Sequence, residues 1–312
     1  MKRLTLAWLT LLTALVVGCS AAPTPAAPTP TTMSAEPTAI IEATATLEML
    51  AAGEPTTDTN EAGPPETTQP TEPGALTAFS ENGISFSFDS TLASGVTAEV
   101  VPASPTVGDL PYWGIFPEHR KFNFEGYESQ NLYHQPSIYV YPVEAFAAKN
   151  PEAQATIQSL QTLLNEQPDD PETIPVLPIL NAMQVTNAQV RYLSFGSGTG
   201  VRFVTQYDQS ALPINNQGLF YTFQGLTSDG QFYVAAILPV AAPGLAETGD
   251  VTLADPDIVP FPLEELQSSA DPAAALQAYV AEITERLELL DPASYTPSLT
   301  LLDEMVQTIQ VE

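Results

Sequence analysis

Few residues in this chain of 312 could do covalent chemistry: one cysteine, Cys19, and two histidines, His119 and His134. The histidines stand in Pro117-Glu118-His119-Arg120 and Tyr133-His134-Gln135-Pro136, beside strand-like runs. Either imidazole could serve as a general base if folding brought a carboxylate to it, with Tyr133 as a further proton carrier. That arrangement would suit a hydrolase. Against it, no serine occupies a Gly-x-Ser-x-Gly elbow, and the two histidines match no zinc-ligand spacing. The expectation is no catalytic residue and no cofactor. A hydrolase using His119 or His134 with a nearby carboxylate is the alternative.

Three other stretches invite a chemical reading. Gly196-Ser197-Gly198-Thr199-Gly200 has the composition of a phosphate loop. It lacks the following Lys-Ser/Thr and joins two strand-like runs, so it reads as a hairpin turn. Asp250, Asp255 and Asp257 could offer oxygens to calcium, as could Asp169, Asp170 and Glu172. Neither set has the spacing of an EF-hand, and both fit ordinary turn chemistry, so no metal is expected. Pro111-Tyr112-Trp113-Gly114-Ile115-Phe116-Pro117 concentrates aromatic surface with polar edges. Tyr112, Trp113 and Phe116 are therefore the candidate binding surface, suited to a glycan or a protein partner; the competing reading has Trp113 and Phe116 plugging the end of a sheet.

The cysteine stands apart because of what precedes it. A basic head (Lys2, Arg3) leads into an apolar run of 14 residues, Leu4 to Val17, then Gly18 and Cys19. A helix spanning a bilayer needs roughly 20 residues, so this is a secretory signal by length. Val16-Val17-Gly18-Cys19 resembles the lipobox of bacterial lipoproteins: aliphatic, aliphatic or small, Gly or Ala, then Cys. The resemblance implies lipid transfer to the Cys19 sulfur and cleavage between Gly18 and Cys19. It also implies a lipid-anchored, extracytoplasmic place at the cell membrane or surface, with membrane lipid as a partner through Cys19. Each buried methylene contributes about 0.8 kcal/mol, so two or more acyl chains hold such a protein firmly.

From Ser20 to about Gly74 the chain is rich in Pro, Thr, Ala and Glu, with eight acidic residues and no basic ones. Such composition cannot build a core and reads as a disordered tether, residues 19–75. The whole chain carries a formal charge of −29. Losing Lys2 and Arg3 with the signal takes it to −31. A surface of that sign repels phosphate backbones, which excludes nucleic acid as a partner. With Cys19 committed to lipid no disulfide is expected, and a domain of this size can bury enough core without one.

At Leu76 aromatic and β-branched residues arrive, and residues 76–312 read as one domain. Ile84–Phe88 alternates as a strand, followed by strands near Val96–Val101, Lys121–Phe124 and Ser137–Tyr141. Two helices come next; Asn150 caps the second, and Pro151 fits its first turn. Ile174–Val185 is apolar enough to be either a cover for the core or an exposed docking strip. Four strands then follow in succession, near 188–195, 200–207, 219–226 and 231–238. Gly196–Thr199 turns the first pair and Asp229-Gly230 the last, which permits only antiparallel pairing. A long loop, 241–262, could be a lid. Asp271-Pro272 and Thr296-Pro297 each start a terminal helix. Strand runs flanked by helix runs predict an α+β fold: an antiparallel sheet with a central four-stranded meander, covered by helices.

That order of elements resembles the Mog1/PsbP-like fold. The likeness is carried by Gly83-Ile84-Ser85-Phe86-Ser87-Phe88, a helix, an aromatic meander with Asp229-Gly230, and a last helix from Leu301-Leu302-Asp303 to Ile309. It covers roughly 84–310 and implies architecture together with binding or assembly work, with no functional residue to carry across. The expected function is a membrane-anchored binding or assembly module for an envelope protein or glycan, not an enzyme.

Overall fold

The computed structural model describes residues 74–105, 110–128, 131, 133–250 and 258–312. Its first turn is Asn82-Gly83, with φ of 52° and 71°. Two positive φ values in a two-residue loop match the right-handed twist of the strands they join. Those strands are β1 (Leu76–Glu81) and β2 (Ile84–Asp89), paired antiparallel. A C-terminal strand, β10 (Gln310–Val311), lies on the other edge of β2. The alternation of β2 buries Ile84, Phe86 and Phe88 on one side, as expected.

The larger sheet has seven strands, all antiparallel. They are β3 (Gly95–Val101), β4 (His119–Glu125), β5 (Ser137–Pro142), β6 (Met183–Phe195), β7 (Gly198–Asp208), β8 (Phe220–Thr227) and β9 (Phe232–Pro239). Their spatial order is β3-β4-β5-β9-β8-β7-β6, so the predicted meander β6–β9 forms one half of the sheet. The fold is α+β.

Each face of this sheet holds a core. On one face Phe122, Ile138, Tyr221, Phe223, Val234 and Ala236 meet the small sheet and two helices, α4 (Pro272–Leu289) and α5 (Leu299–Gln307). Phe79, Phe86, Phe88, Phe122 and Phe124 interlock there, with ring centroids 5.1 to 6.3 Å apart. On the opposite face Tyr141, Phe203, Tyr233 and Ile237 are covered by α1 (Val143–Lys149), α2 (Pro151–Glu166) and the proline-punctuated segment after them. A fully buried side chain of this size contributes about 1.5–3 kcal/mol, so a double core accounts for stability without a disulfide. A short helix, α3 (Leu263–Ser268), precedes α4.

Two glutamine side chains fix the proline-punctuated segment by imitating a strand. Gln224 accepts from Leu177 N at 2.9 Å and donates to Leu177 O at 3.2 Å. Gln184 does the same with Ile174, at 3.2 Å in both directions. Ile174, Val176 and Leu177 are buried beneath them. This stretch is the core cover, not a docking strip.

Several boundaries differ from the sequence reading. The turn between β6 and β7 is only Gly196-Ser197; Gly198, Thr199 and Gly200 belong to β7. Gly200 lies opposite Gly225, and a Cβ on Gly200 would stand 2.4 Å from the Phe223 ring. These glycines make room for an aromatic side chain, not for a phosphate. The last helix starts at Leu299, where the Ser298 hydroxyl accepts from Thr300 N at 3.2 Å, two residues after the expected Pro297. The strands β1 and β10 and the helix α3 were not anticipated.

Candidate functional site

The aromatic loop is built from its neighbours' backbone-directed side chains. Asn150 caps α2 by accepting from Glu152 N at 3.0 Å and Ala153 N at 3.4 Å. Its amide nitrogen meanwhile donates to Tyr112 O at 2.8 Å and Ile115 O at 2.9 Å. Ser104 clasps Phe116 three ways: its N and Oγ both donate to Phe116 O, and its Oγ accepts from Phe116 N. Lys149, at the end of α1, donates to Ser104 O at 2.7 Å. The loop backbone is thus held on both sides, and a 3-10 turn, Tyr112–Gly114, presents its tip.

On that tip Tyr112 is 45% exposed and Trp113 is 40% exposed. Their rings meet edge to face at 85°, centroids 4.9 Å apart. Phe116 is different: half-buried, it packs edge-on against His119 at 5.3 Å and joins the core below. The open surface is therefore Tyr112 and Trp113, with Phe116 as their footing. Of the three candidate residues, Phe116 is the one turned inward.

His119 is buried, and its Nδ1 donates to Pro117 O at 2.9 Å, since that carbonyl can only accept. Its ring lies 4.5 Å from Tyr141. Burial holds its pKa below the ordinary histidine value, partly offset by the Pro117 carbonyl. His134 packs 4.3 Å from Phe220, and burial pushes its pKa down to about 4, which leaves it a weak base. Pairing of Arg120 with Val140 and Asn123 with Ser137 puts His119 and His134 at opposite ends of the β4–β5 pair. Four residues of strand alone separate them by about 13 Å. Glu118, next to His119 in sequence, is exposed while the imidazole is not. His119 and His134 are thus kept apart, and a carboxylate whose charge His119 does feel is Glu99, on the neighbouring strand β3.

Of the acidic candidates, Asp250 is exposed, and its backbone N donates to Thr248 Oγ1 at 3.3 Å. Asp255 and Asp257 lie outside the described residues, as do Gly18 and Cys19. Asp169, Asp170 and Glu172 are exposed around the buried Pro171. Among the described residues no three of His, Cys, Asp and Glu come together as metal ligands, and no helix is long and apolar enough to cross a membrane.

No protein-family model, curated protein or solved structure matches the chain. The site therefore rests on its own geometry. Two features escaped sequence reasoning. One is a charged cluster beneath α5: Arg202 is fully buried, and its Nε lies 3.0 and 3.2 Å from the Asp303 oxygens. Tyr221 donates to the same carboxylate at 3.0 Å, and the Arg202 Nη1 donates to Gln189 O in a β6 bulge. An arginine set between Val201 and Phe203 within a strand was the available signal. The other is an apolar groove of about 280 Å³ between the end of α4 and Pro243–Leu245. It was hidden because each wall reads separately as ordinary core sequence.

Proposed function

We propose that the chain is an extracytoplasmic lipoprotein, anchored through Cys19, whose domain recognises an envelope partner or glycan with Tyr112 and Trp113. It is a binding or assembly module, and the reading carries no catalytic step. The observation that carries it is the exposed ring pair on a loop already fixed by Asn150, Ser104 and Lys149. Preorganisation of this kind reduces the ordering cost of binding, and rings with polar edges suit sugars and protein surfaces alike. The anchor rests on Val16-Val17-Gly18-Cys19, and the Mog1/PsbP-like likeness enters as a proposal that rests on element order.

Cells expressing the chain would be grown with labelled palmitate. Label should enter the wild type and be absent from Cys19→Ser; unchanged labelling would end the anchor reading. Binding has a separate readout, because Trp8 precedes Cys19 and leaves Trp113 the sole tryptophan of the mature chain. Its fluorescence should shift when solubilised envelope glycan or protein fractions are added. Tyr112→Ala should weaken that response about tenfold. Fractions captured equally by wild type and by Tyr112→Ala/Trp113→Ala would rule the surface out.

A further inference from the structure

Helix α4 buries Tyr279, Ile283 and Leu287 on one side, yet its last turn ends with Leu289 79% exposed. Ile283, Arg286, Leu287 and Leu290 recur at helical spacing and form one wall of the groove. Pro243 and Leu245 form the other. That second wall is fixed by Asn216, which accepts from Ala242 N at 2.9 Å and donates through its side chain to Glu247 at 3.0 Å. Its backbone N donates to Ala246 O at 2.8 Å. The groove is preformed, and its volume of about 280 Å³ lies just under the range of roughly 300–1,000 Å³ typical of ligand pockets.

The charges around it select what can enter. Glu282, Glu285, Arg286 and Leu289 form the neighbouring stripe of α4. Arg286 is paired with Glu282 at 3.0 Å, which leaves the carboxylate of Glu285 to set the sign. The last carbonyls of α4 already accept from the Gln189 amide and the Tyr295 hydroxyl, so the helix end adds little charge of its own. A fatty acid or an anionic lipid would bring a like charge to this rim. A second copy would face the same glutamates across a two-fold axis, in a chain already at −29. We infer that the groove is a docking site for a basic amphipathic helix of a partner protein, its aliphatic side chains entering between α4 and Pro243–Leu245 and its lysines or arginines facing Glu285. Aliphatic anchors at helical spacing laid into an apolar groove are a recurrent recognition mode. This site is separate from Tyr112 and Trp113 and does not rest on the function proposed for them.

The test uses the full chain in zwitterionic nanodiscs, with empty discs as control and no detergent to fill the groove. The probe is a short labelled leucine/lysine peptide with its leucines on one helical face, followed by fluorescence anisotropy at physiological salt. It should bind about tenfold tighter than a scrambled peptide of the same composition. A leucine/glutamate version should not bind. Leu289→Asp supplies the decisive comparison, because an exposed position tolerates the change. Attraction by charge alone predicts tighter binding to this variant, whereas anchoring in the groove predicts about tenfold weaker binding. Trp113→Ala should leave the affinity unchanged. Equal binding of the scrambled peptide, tighter binding by Leu289→Asp, or no binding of the amphipathic probe would each overturn the inference.

Discussion

Arg202 is the residue on which the most free energy turns. Its guanidinium is fully buried, Asp303 supplies the counter-charge, and one nitrogen, Nη2, has no partner among the described residues. Burial is the main influence on Asp303 and raises its pKa, while the adjacent Arg202 pulls it back down. Removing one member of a buried pair leaves an uncompensated charge, which typically costs about 3–5 kcal/mol. Asp303→Asn should therefore lower the urea midpoint by that equivalent. Replacing both partners, Arg202→Met with Asp303→Leu, should recover most of the loss. If the single and double variants were equally unstable, the charge would not be the cause. His134 gives a second residue-scale prediction. Unfolded, it titrates near 6.5; folded, near 4. Between those values the unfolded chain binds a proton that the folded chain does not, so stability rises with pH. The contribution is complete above pH 6.5 and is lost as the pH falls through 4, about 3 kcal/mol in all. His134→Phe keeps a ring against Phe220. It should lose less stability than the wild type between pH 7 and pH 4.5, and parallel curves in urea titrations would refute this.

Among the elements, α2 has two tasks at its N-cap. The Asn150 side-chain oxygen caps the helix while its nitrogen holds the aromatic loop. Asn150→Ser keeps an acceptor for the cap and drops both donors to the loop. It should cost little helix stability yet raise hydrogen exchange and lower Trp113 anisotropy across 111–117. Asn150→Ala should add the loss of the cap, about 1 kcal/mol. Equal loop rigidity in wild type and Asn150→Ser would show that Ser104 and Lys149 suffice. The cap itself was legible, because Asn-Pro before an apolar stripe has a local cause. So were the four meander strands and the Asp229-Gly230 turn. The second use of Asn150 was not, since Tyr112 stands 38 positions away and only the packed fold brings them together. The strand β1 was missed for a different reason. Five of its six residues are exposed, so it has no alternation to read, although Asn82-Gly83 was a sufficient hairpin signal. Likewise Phe116 and Trp113 looked equivalent in sequence, and only the position of His119 separates buried from open.

For the molecule as a whole, charge is the dominant quantity. The domain carries six cationic side chains, and Arg202 and Arg286 are each paired with a carboxylate. Most of the remaining carboxylates repel one another across the surface, which favours the expanded chain. Raising monovalent salt from about 10 mM to 150 mM shortens the screening length from about 30 Å to 8 Å. The melting temperature should therefore rise with salt over that range, and a flat or falling profile would show that the surface charges are already compensated.

The hairpin at the start of the domain also has a mechanical reading. The polypeptide enters at the open end of β1 and β2, where Leu76 faces Asp89, and the closed end lies at Asn82-Gly83. If Cys19 is anchored as proposed and a bound partner grips the body, tension arrives at that open end. The rungs between the two strands then part singly, like a zip, instead of failing together. Peeling six residues frees roughly 20 Å of chain and gives up the contact of Phe79 with Phe122 on β4. On the anchoring proposed above, the first strand would serve as a sacrificial shock absorber ahead of the main sheet.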